Sequence, residues 1–220
     1  MNERTVFYMK KTRYINIERD KRLLSVVAII FSLYTAFSIT YFSATCGTVR
    51  ENVVRLHVIA NSDSPEDQRV KLQVRDALLK RNCELLSDKV NTENAHLYFS
   101  ASKDDLREAS ITTLRQNNFP YDAKVSLERE YYETRQYGEL TFPAGEYLSL
   151  KVVLGEGKGK NWWCVMFPPL CIPVAGDIKT QKEKTADYIS PKGEEIINGG
   201  NEYVMKFRIV EIYEELKSKF

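Results

Sequence analysis

Residues 155–171 read GEGKGKNWWCVMFPPLC, and this stretch contains both tryptophans of the chain and two of its four cysteines. Glycines at positions 155, 157 and 159 permit positive φ angles or a close approach of another backbone. Pro168 and Pro169 remove two backbone donors and push Phe167 towards an extended conformation. The pattern predicts a stiff loop that carries a large aromatic surface at one end of a sheet.

Two roles fit these aromatic residues. Trp162, Trp163 and Phe167 on a constrained loop would be anchors for a protein partner, because aromatic side chains dominate interface hot spots. Aromatic side chains also supply much of the burial in protein cores. Neighbouring residues of a strand face opposite sides, so the two tryptophans can serve both roles at once. Asn61 and Asp63, in a polar turn, are second candidates for contact with a partner.

The amino-terminal end predicts a membrane segment. Residues 1–22 carry seven Lys or Arg and three acidic side chains, whereas residues 23–49 carry no charge. A helix of about twenty apolar residues reaches about 30 Å, the thickness of a bilayer core. We expect a signal or transmembrane segment at 23–45, with a basic cytoplasmic leader at 1–22 and an exported domain at 50–220.

Whether this segment is cleaved stays open at the level of sequence. Small residues at 36 and 38, or at 43 and 45, are suitable for a signal peptidase. The apolar run is longer than the hydrophobic part of a usual signal peptide, which favours an uncleaved anchor by a small margin.

The charge balance argues against a nucleic-acid partner. The formal net charge is +2, but outside the basic leader the chain has 25 basic and 27 acidic side chains. The exported part therefore lacks the excess of positive charge that binding to phosphate backbones requires.

Local patterns in the exported part predict one α+β domain. Ser64 and Pro65 are typical of the cap and first position of a helix, which we expect to run to about residue 86. The order of elements predicts a mainly antiparallel sheet with helices packed on one face. The expected strands are 53–60, 122–131, 146–154 and 203–209, and the other expected helices are 91–117 and 210–220.

No enzyme, metal or cofactor site is predicted. Cys164, His57 and Asp63 would form a nucleophilic constellation, but the sequence around Cys164 lacks a protease signature. The C-x6-C spacing does not fit a zinc site, and the glycine-rich run lacks the G-K-[ST] ending of a phosphate loop. We expect no cofactor and no small-molecule substrate.

The cysteines allow a disulfide. Cys164 and Cys171 would close a loop of eight residues, worth roughly 2–3 kcal/mol by loop entropy. Free cysteines buried in the core are an equally good interpretation. Cys83 falls on a predicted helix, where we expect it to be buried.

Four segments resemble the stage II sporulation protein R family over about residues 50–215. They are RLHVIANSDSPEDQ at 55–68, PAGEY at 143–147, GKNWWCVMFPPLC at 159–171 and KFRIVE at 206–211. The resemblance implies a non-enzymatic signal of endospore formation that is exported across the cytoplasmic membrane of the forespore into the intermembrane space. There it would activate a membrane-embedded aspartic protease, which processes the precursor of a mother-cell sigma factor. The basic leader and long apolar span depart from simple secretion and suggest tethering by 23–45.

Two rival functions stay open. A thiol-dependent cell-wall hydrolase would use Cys164 and His57. A tethered module that binds the cell wall would need no catalytic residue.

Overall fold

The computed structural model describes residues 17–85, 94–137, 140–168, 189–199 and 203–218. The chain divides into two compact units, 1–41 and 42–220. Six helices and six strands lie in the described residues. They are α1 (Ile17–Glu51), β1 (Val54–Ile59), α2 (Pro65–Leu85), α3 (Ala95–Ala101), α4 (Lys103–Gln116), β2 (Ala123–Tyr132), β3 (Arg135–Tyr137), β4 (Leu140–Phe142), β5 (Gly145–Leu154), β6 (Asn161–Phe167), α5 (Pro191–Asn198) and α6 (Val204–Ser218).

The first unit contains the apolar part of α1. Among the described residues, one helical stretch, Lys21–Glu51, is long and apolar enough to cross a membrane. Its large apolar side chains from Leu23 to Tyr41 are exposed to solvent in the structure. These properties are consistent with a signal sequence or a membrane anchor.

The second unit is built on a four-stranded mixed sheet with the order β2-β5-β1-β6. β1 is parallel to β5, whereas the β2–β5 and β1–β6 pairs are antiparallel. β3 and β4 form a separate two-stranded hairpin. The predicted α+β class with a mainly antiparallel sheet is therefore confirmed.

The two faces of the sheet have different coverings. Helices α2, α3 and α4 pack on the face that carries Leu56, Leu150 and Cys164, and together they form the largest hydrophobic cluster. The opposite face carries Tyr147 and Val165, and these pack against the β3–β4 hairpin and α5. This second face also carries the polar residues that form the candidate site.

A third cluster joins the start of the second unit to its end. Phe42 and Cys46 from α1 pack against Ile196 of α5 and against Phe207 and Val210 of α6. The Arg50 guanidinium forms an ion pair of 3.1 Å with Glu214 of α6. The last ten residues of α1 are therefore part of the core of the second unit.

Several sequence predictions were wrong in detail. The expected strand 203–209 is the first half of α6, because Phe207, Val210 and Glu214 point inward at helical spacing. The aromatic residues 161–167 form strand β6 and not a loop. The expected helix 91–117 is divided at Ser102 into α3 and α4. Cys83 is exposed and not buried.

Candidate partner-binding site

The two tryptophans lie on opposite faces of the edge strand β6. Trp162 packs against the helix-covered core, and the Arg75 guanidinium lies 4.3 Å from the centre of its ring. Trp163 packs against the cluster on the other face. Both side chains are half-buried, so each presents part of its ring to solvent.

Trp163 is held in place by two aromatic neighbours. Its ring stacks on the imidazole of His57, with centroids 3.6 Å apart and planes inclined by 20°. Tyr132 meets the same indole edge-on at 4.9 Å. The β1–β6 register pairs His57 with Trp163, which explains why the two side chains share one face. The indole is therefore a rigid surface.

A carboxylate fixes the orientation of the His57 ring. Nδ1 of His57 lies 3.0 Å from both carboxylate oxygens of Glu130. Burial favours the neutral acid, but hydrogen bonds from Ser149, Lys151 and His57 outweigh burial and hold the pKa of Glu130 below its usual value. An ionised carboxylate can only accept, so Nδ1 of His57 donates the proton. His57 is 4% exposed, and its Nε2 has no hydrogen-bond partner in the described part of the chain.

Lys151 completes this polar row across three strands. Its ammonium lies 2.8 Å from Glu128 and 3.0 Å from Glu130. Hydrogen bonds to these two carboxylates raise the pKa of Lys151 above its ordinary value. Lys151 and Glu130 are therefore both charged at neutral pH, and they hold His57 beneath Trp163.

A pocket of about 250 Å³ opens beside the indole, and we call it the Trp163 pocket. It is lined by Tyr131, Tyr132, Glu133, Arg135 and Trp163. The aromatic rings make an apolar floor, while the exposed side chains of Glu133 and Arg135 place one charge of each sign on the rim. This volume is below the roughly 300–1,000 Å³ of small-molecule sites and fits a single side chain of a protein partner.

Arg55 lies behind the pocket and is fully buried. Its guanidinium carbon lies 4.5 Å from the ring of Tyr132 and 5.2 Å from the ring of Tyr147. Nη2 donates to the hydroxyl of Tyr137 at 2.7 Å. Nε and Nη1 have no hydrogen-bond partner among the described residues. Tyr132 thus contacts both the buried cation and Trp163, and the aromatic packing is continuous between them.

Asn61 and Asp63 connect the turn after β1 to the glycine-rich loop. The side-chain oxygen of Asn61 accepts from the backbone of Glu156 at 2.9 Å. A carboxylate oxygen of Asp63 accepts from the backbone of Lys160 at 2.8 Å. A side chain at Gly159 would collide with the carbonyl of Ser62, so the close backbone approach expected of this glycine is present. Both candidates therefore support the loop that precedes Trp162.

Asp67 accepts hydrogen bonds from the residues of this turn. The sequence analysis did not identify it as a candidate. It is 5% exposed and accepts from Ser62, from the hydroxyl of Tyr121 at 2.6 Å and from Asn61 at 2.9 Å. Burial alone would raise its pKa, but these hydrogen bonds outweigh it and lower the pKa. The Ser64 hydroxyl accepts from the Asp67 backbone at 3.1 Å. The Ser-x-x-Asp spacing, close to a capping box, was the available signal.

The other sequence candidates lie away from the Trp163 pocket. Phe167 is fully buried in the helix-covered core. Cys164 is disulfide-bonded and 3% exposed, and it packs in the core on the sheet face opposite His57. The structure therefore does not bring Cys164, His57 and Asp63 together. Cys171 lies outside the described residues, so its pairing with Cys164 stays a prediction. No cluster of metal-ligating side chains occurs within the described ranges.

Comparison with known proteins identifies the family. The model of the stage II sporulation protein R family matches residues 50–176, which include β1–β6. Stage II sporulation protein R of Bacillus subtilis (strain 168) is 32% identical over 141 residues, which are 63% of this chain and 63% of that protein. No solved structure matches. Because the family model covers more than half of the sequence, this chain belongs to the stage II sporulation protein R family.

Proposed function

We propose that this sporulation protein is an exported signal that acts by contact with another protein. Its partner is a membrane-embedded aspartic protease, and the contact activates that protease to process the precursor of a sigma factor. The observation that carries the proposal is the Trp163 pocket, in which a rigid aromatic floor lies open on the exported unit. Buried aromatic anchors in such pockets provide most of the binding energy of protein interfaces.

The amino-terminal half of α1 supports export of the second unit across the membrane. The basic residues before the apolar span favour a cytoplasmic amino terminus, which sends the domain at 50–220 across the membrane. In a forespore, this orientation delivers the second unit to the intermembrane space. There it can meet a protease embedded in the opposing membrane.

The polar chemistry of the described residues supports a role without catalysis. Glu130 binds both Lys151 and His57 in the row that holds Trp163, and Asp67 accepts hydrogen bonds from donors of its own chain. The thiol hydrolase alternative needs Cys164 as a nucleophile, but this sulfur is in a disulfide. We therefore propose that the domain is not an enzyme.

The test is co-expression of the full chain with the protease and a tagged sigma precursor in a bacterium that does not sporulate. Trp163→Ala is compared with Trp162→Ala, which removes the same side chain from the opposite face. Circular dichroism and thermal unfolding establish that both variants fold. We expect processing to fall at least about tenfold for Trp163→Ala, equivalent to about 1.4 kcal/mol of contact energy, and to change less for Trp162→Ala.

A larger loss of processing for Trp162→Ala than for Trp163→Ala would place the contact on the helix-covered side of the sheet. Full processing by both folded variants would show that neither tryptophan contributes to the interface.

A further inference from the structure

Strand β2 forms an open edge of the four-stranded sheet. It pairs with β5 along one side, and the order β2-β5-β1-β6 places no strand of this sheet on its other side. β2 has ten residues, no proline and a register without a bulge. Proteins commonly protect an edge from pairing with another strand by short length, proline or a bulge. β2 therefore keeps the regular geometry that a further strand requires.

The alternation of hydrogen bonds shows which backbone groups of β2 point outward. The Gly155 amide donates to the Asp122 carbonyl at 2.9 Å, so Asp122 and every second residue after it bond to β5. The residues between them direct their N–H and C=O groups away from the sheet. At the first of these, Ala123, the carbonyl accepts from Nε of Arg107 at 3.1 Å. This contact agrees with the assignment and closes one end of the edge.

Four further residues of β2 have open backbone groups on this side. Within the described part of the chain, no hydrogen bond reaches their outward N–H and C=O groups. They extend over about 20 Å, the length of a typical strand. A row of donors and acceptors at this spacing is matched by an extended polypeptide. The four residues are Val125, Leu127, Arg129 and Tyr131, and we call them the β2 edge.

The side chains beside the β2 edge define the composition of a matching polypeptide. On the helix-covered side, Val125 and Leu127 are partly buried at the border of the core. On the opposite side, Glu128 has 43% of its side chain exposed. Cross-strand neighbours stabilise a sheet when they are apolar pairs or opposite charges. The matching segment therefore alternates apolar residues with polar ones and carries Lys or Arg beside Glu128.

A second copy of β2 fits this edge poorly. Antiparallel pairing of two β2 strands about a two-fold axis uses all four open residues in one register, in which Val125 lies opposite Tyr131 of the other copy. In that register Glu128 lies directly opposite Glu128 of the other copy. Like charges in directly opposite positions destabilise a sheet. The charge of the edge therefore favours a different chain with a basic residue at this position.

We propose that an extended segment of the partner protein adds to the β2 edge as a fifth strand of the sheet. The inference rests on the proposed function for the identity of that partner, the membrane-embedded protease. Tyr131 ends the β2 edge and also lines the Trp163 pocket, so one segment covers the edge and reaches the pocket. The backbone bonds of the added strand supply affinity, and the side chain in the pocket supplies specificity.

Arg129→Pro tests the backbone contact. Proline removes the outward N–H of this residue, while the bonds between β2 and β5 stay because they come from the alternate residues. Arg129→Ala is the matched control, since it removes the same side chain and retains the N–H. Each full chain is co-expressed with the protease and a tagged sigma precursor, and thermal unfolding establishes that both variants fold. We expect processing to fall at least about tenfold for Arg129→Pro and to fall less for Arg129→Ala.

A photo-crosslinking amino acid at Ser126 gives a second test that does not depend on the folding of a proline variant. Ser126 is exposed on β2. We expect a covalent adduct with the protease, and mass mapping should locate it in a segment that alternates apolar and polar residues. The probe at Glu133, on the rim of the Trp163 pocket, should link to the same segment.

The outcomes separate this inference from the proposed function. Full processing by folded Arg129→Pro, or a protease adduct from position 133 without one from position 126, would overturn the added strand and leave the proposed function in place. An adduct of position 126 with a second copy of the chain would assign the edge to self-association and also overturn the inference. No processing by the unaltered chain and no adduct from either position would overturn the proposed function and the inference together.

Discussion

His57 and Trp163 stack with their ring centroids 3.6 Å apart on neighbouring antiparallel strands. The stack connects two different environments. On one side, Glu130 and Lys151 fix the imidazole by charged hydrogen bonds. On the other side, the indole forms the floor of an open pocket. A partly buried polar row thus keeps the half-buried indole of Trp163 in one orientation.

Loss of the Glu130 charge should loosen this row. Glu130→Gln replaces the carboxylate that accepts from His57 by a neutral amide and leaves Lys151 with Glu128 as its remaining anionic partner, and we expect a loss of about 1–3 kcal/mol of unfolding free energy at pH 7. Urea unfolding measures it, with the exposed Glu66→Gln as the control. An unchanged midpoint for Glu130→Gln would show that the row contributes nothing to stability.

The same variant tests the pH dependence. The folded-state pKa of Glu130 is depressed, so its contribution to stability is present above the ordinary carboxyl pKa of about 4.3 and is lost as the pH falls through the folded-state value. Asp67 acts in the same direction. We expect the wild type to lose stability below about pH 4 more steeply than Glu130→Gln. Parallel curves for the two proteins would contradict this assignment.

Asp67 should matter more to folding than Asp63. Asp67→Ala leaves the half-buried donors of Ser62, Asn61 and Tyr121 without their acceptor, for an expected cost of about 2–4 kcal/mol. Asp63→Ala removes one exposed hydrogen bond to the Lys160 backbone, for about 1 kcal/mol. Chemical unfolding of both variants gives the comparison, and equal losses would show that Asp67 is not the centre of the connection.

The contribution of Arg55 to stability should depend more on the volume of its side chain than on its charge. It is fully buried without an acidic partner among the described residues, so Arg55→Met removes a costly desolvated charge and retains much of the packing. We expect Arg55→Met to change stability by less than about 1.5 kcal/mol, and Arg55→Ala to cost about 3 kcal/mol through the cavity it leaves. If Arg55→Met loses as much unfolding free energy as Arg55→Ala, the aromatic rings around this side chain require its positive charge.

The free cysteines of the described ranges, Cys46 and Cys83, should differ in reactivity. Cys46 is fully buried between α1 and the carboxyl-terminal helices, whereas Cys83 is exposed on α2. A maleimide reagent should label Cys83 within minutes and Cys46 only after unfolding. Mass mapping of labelled peptides locates the reaction, and rapid labelling of Cys46 in the folded chain would show that α1 is not packed as described.

Sequence patterns correctly predicted the elements whose bounds are set by residues adjacent in the sequence. Ser64 and Pro65 marked the start of α2, and the structure begins that helix at Pro65 with the Ser64 hydroxyl as its cap. The alternation in residues 122–131 predicted the half-buried strand β2, found at Ala123–Tyr132. Gly155 and Gly157 have the positive φ angles that the glycine-rich run permits.

The failures occurred where tertiary packing decides between alternatives. Residues 203–209 alternate like a strand, but Phe207 and Val210 also have helical spacing, and the contact with Phe42 selects the helix. The roles of Glu130 and Asp67 depend on partners from distant segments, such as His57 and Tyr121, which no local pattern reveals. For the same reason, Phe167 looked like a surface anchor in the sequence and lies in the core.

We propose that the second unit acts by contact with its partner through the Trp163 pocket. The most direct test places a photo-crosslinking amino acid at Glu133 on the rim of this pocket, in the full chain co-expressed with the protease and sigma precursor. The matched probe at Glu66 lies at the start of α2, on the helix-covered side of the sheet. We expect a covalent adduct with the protease from position 133 and none from position 66. Efficient processing of the precursor without an adduct from position 133 would contradict it.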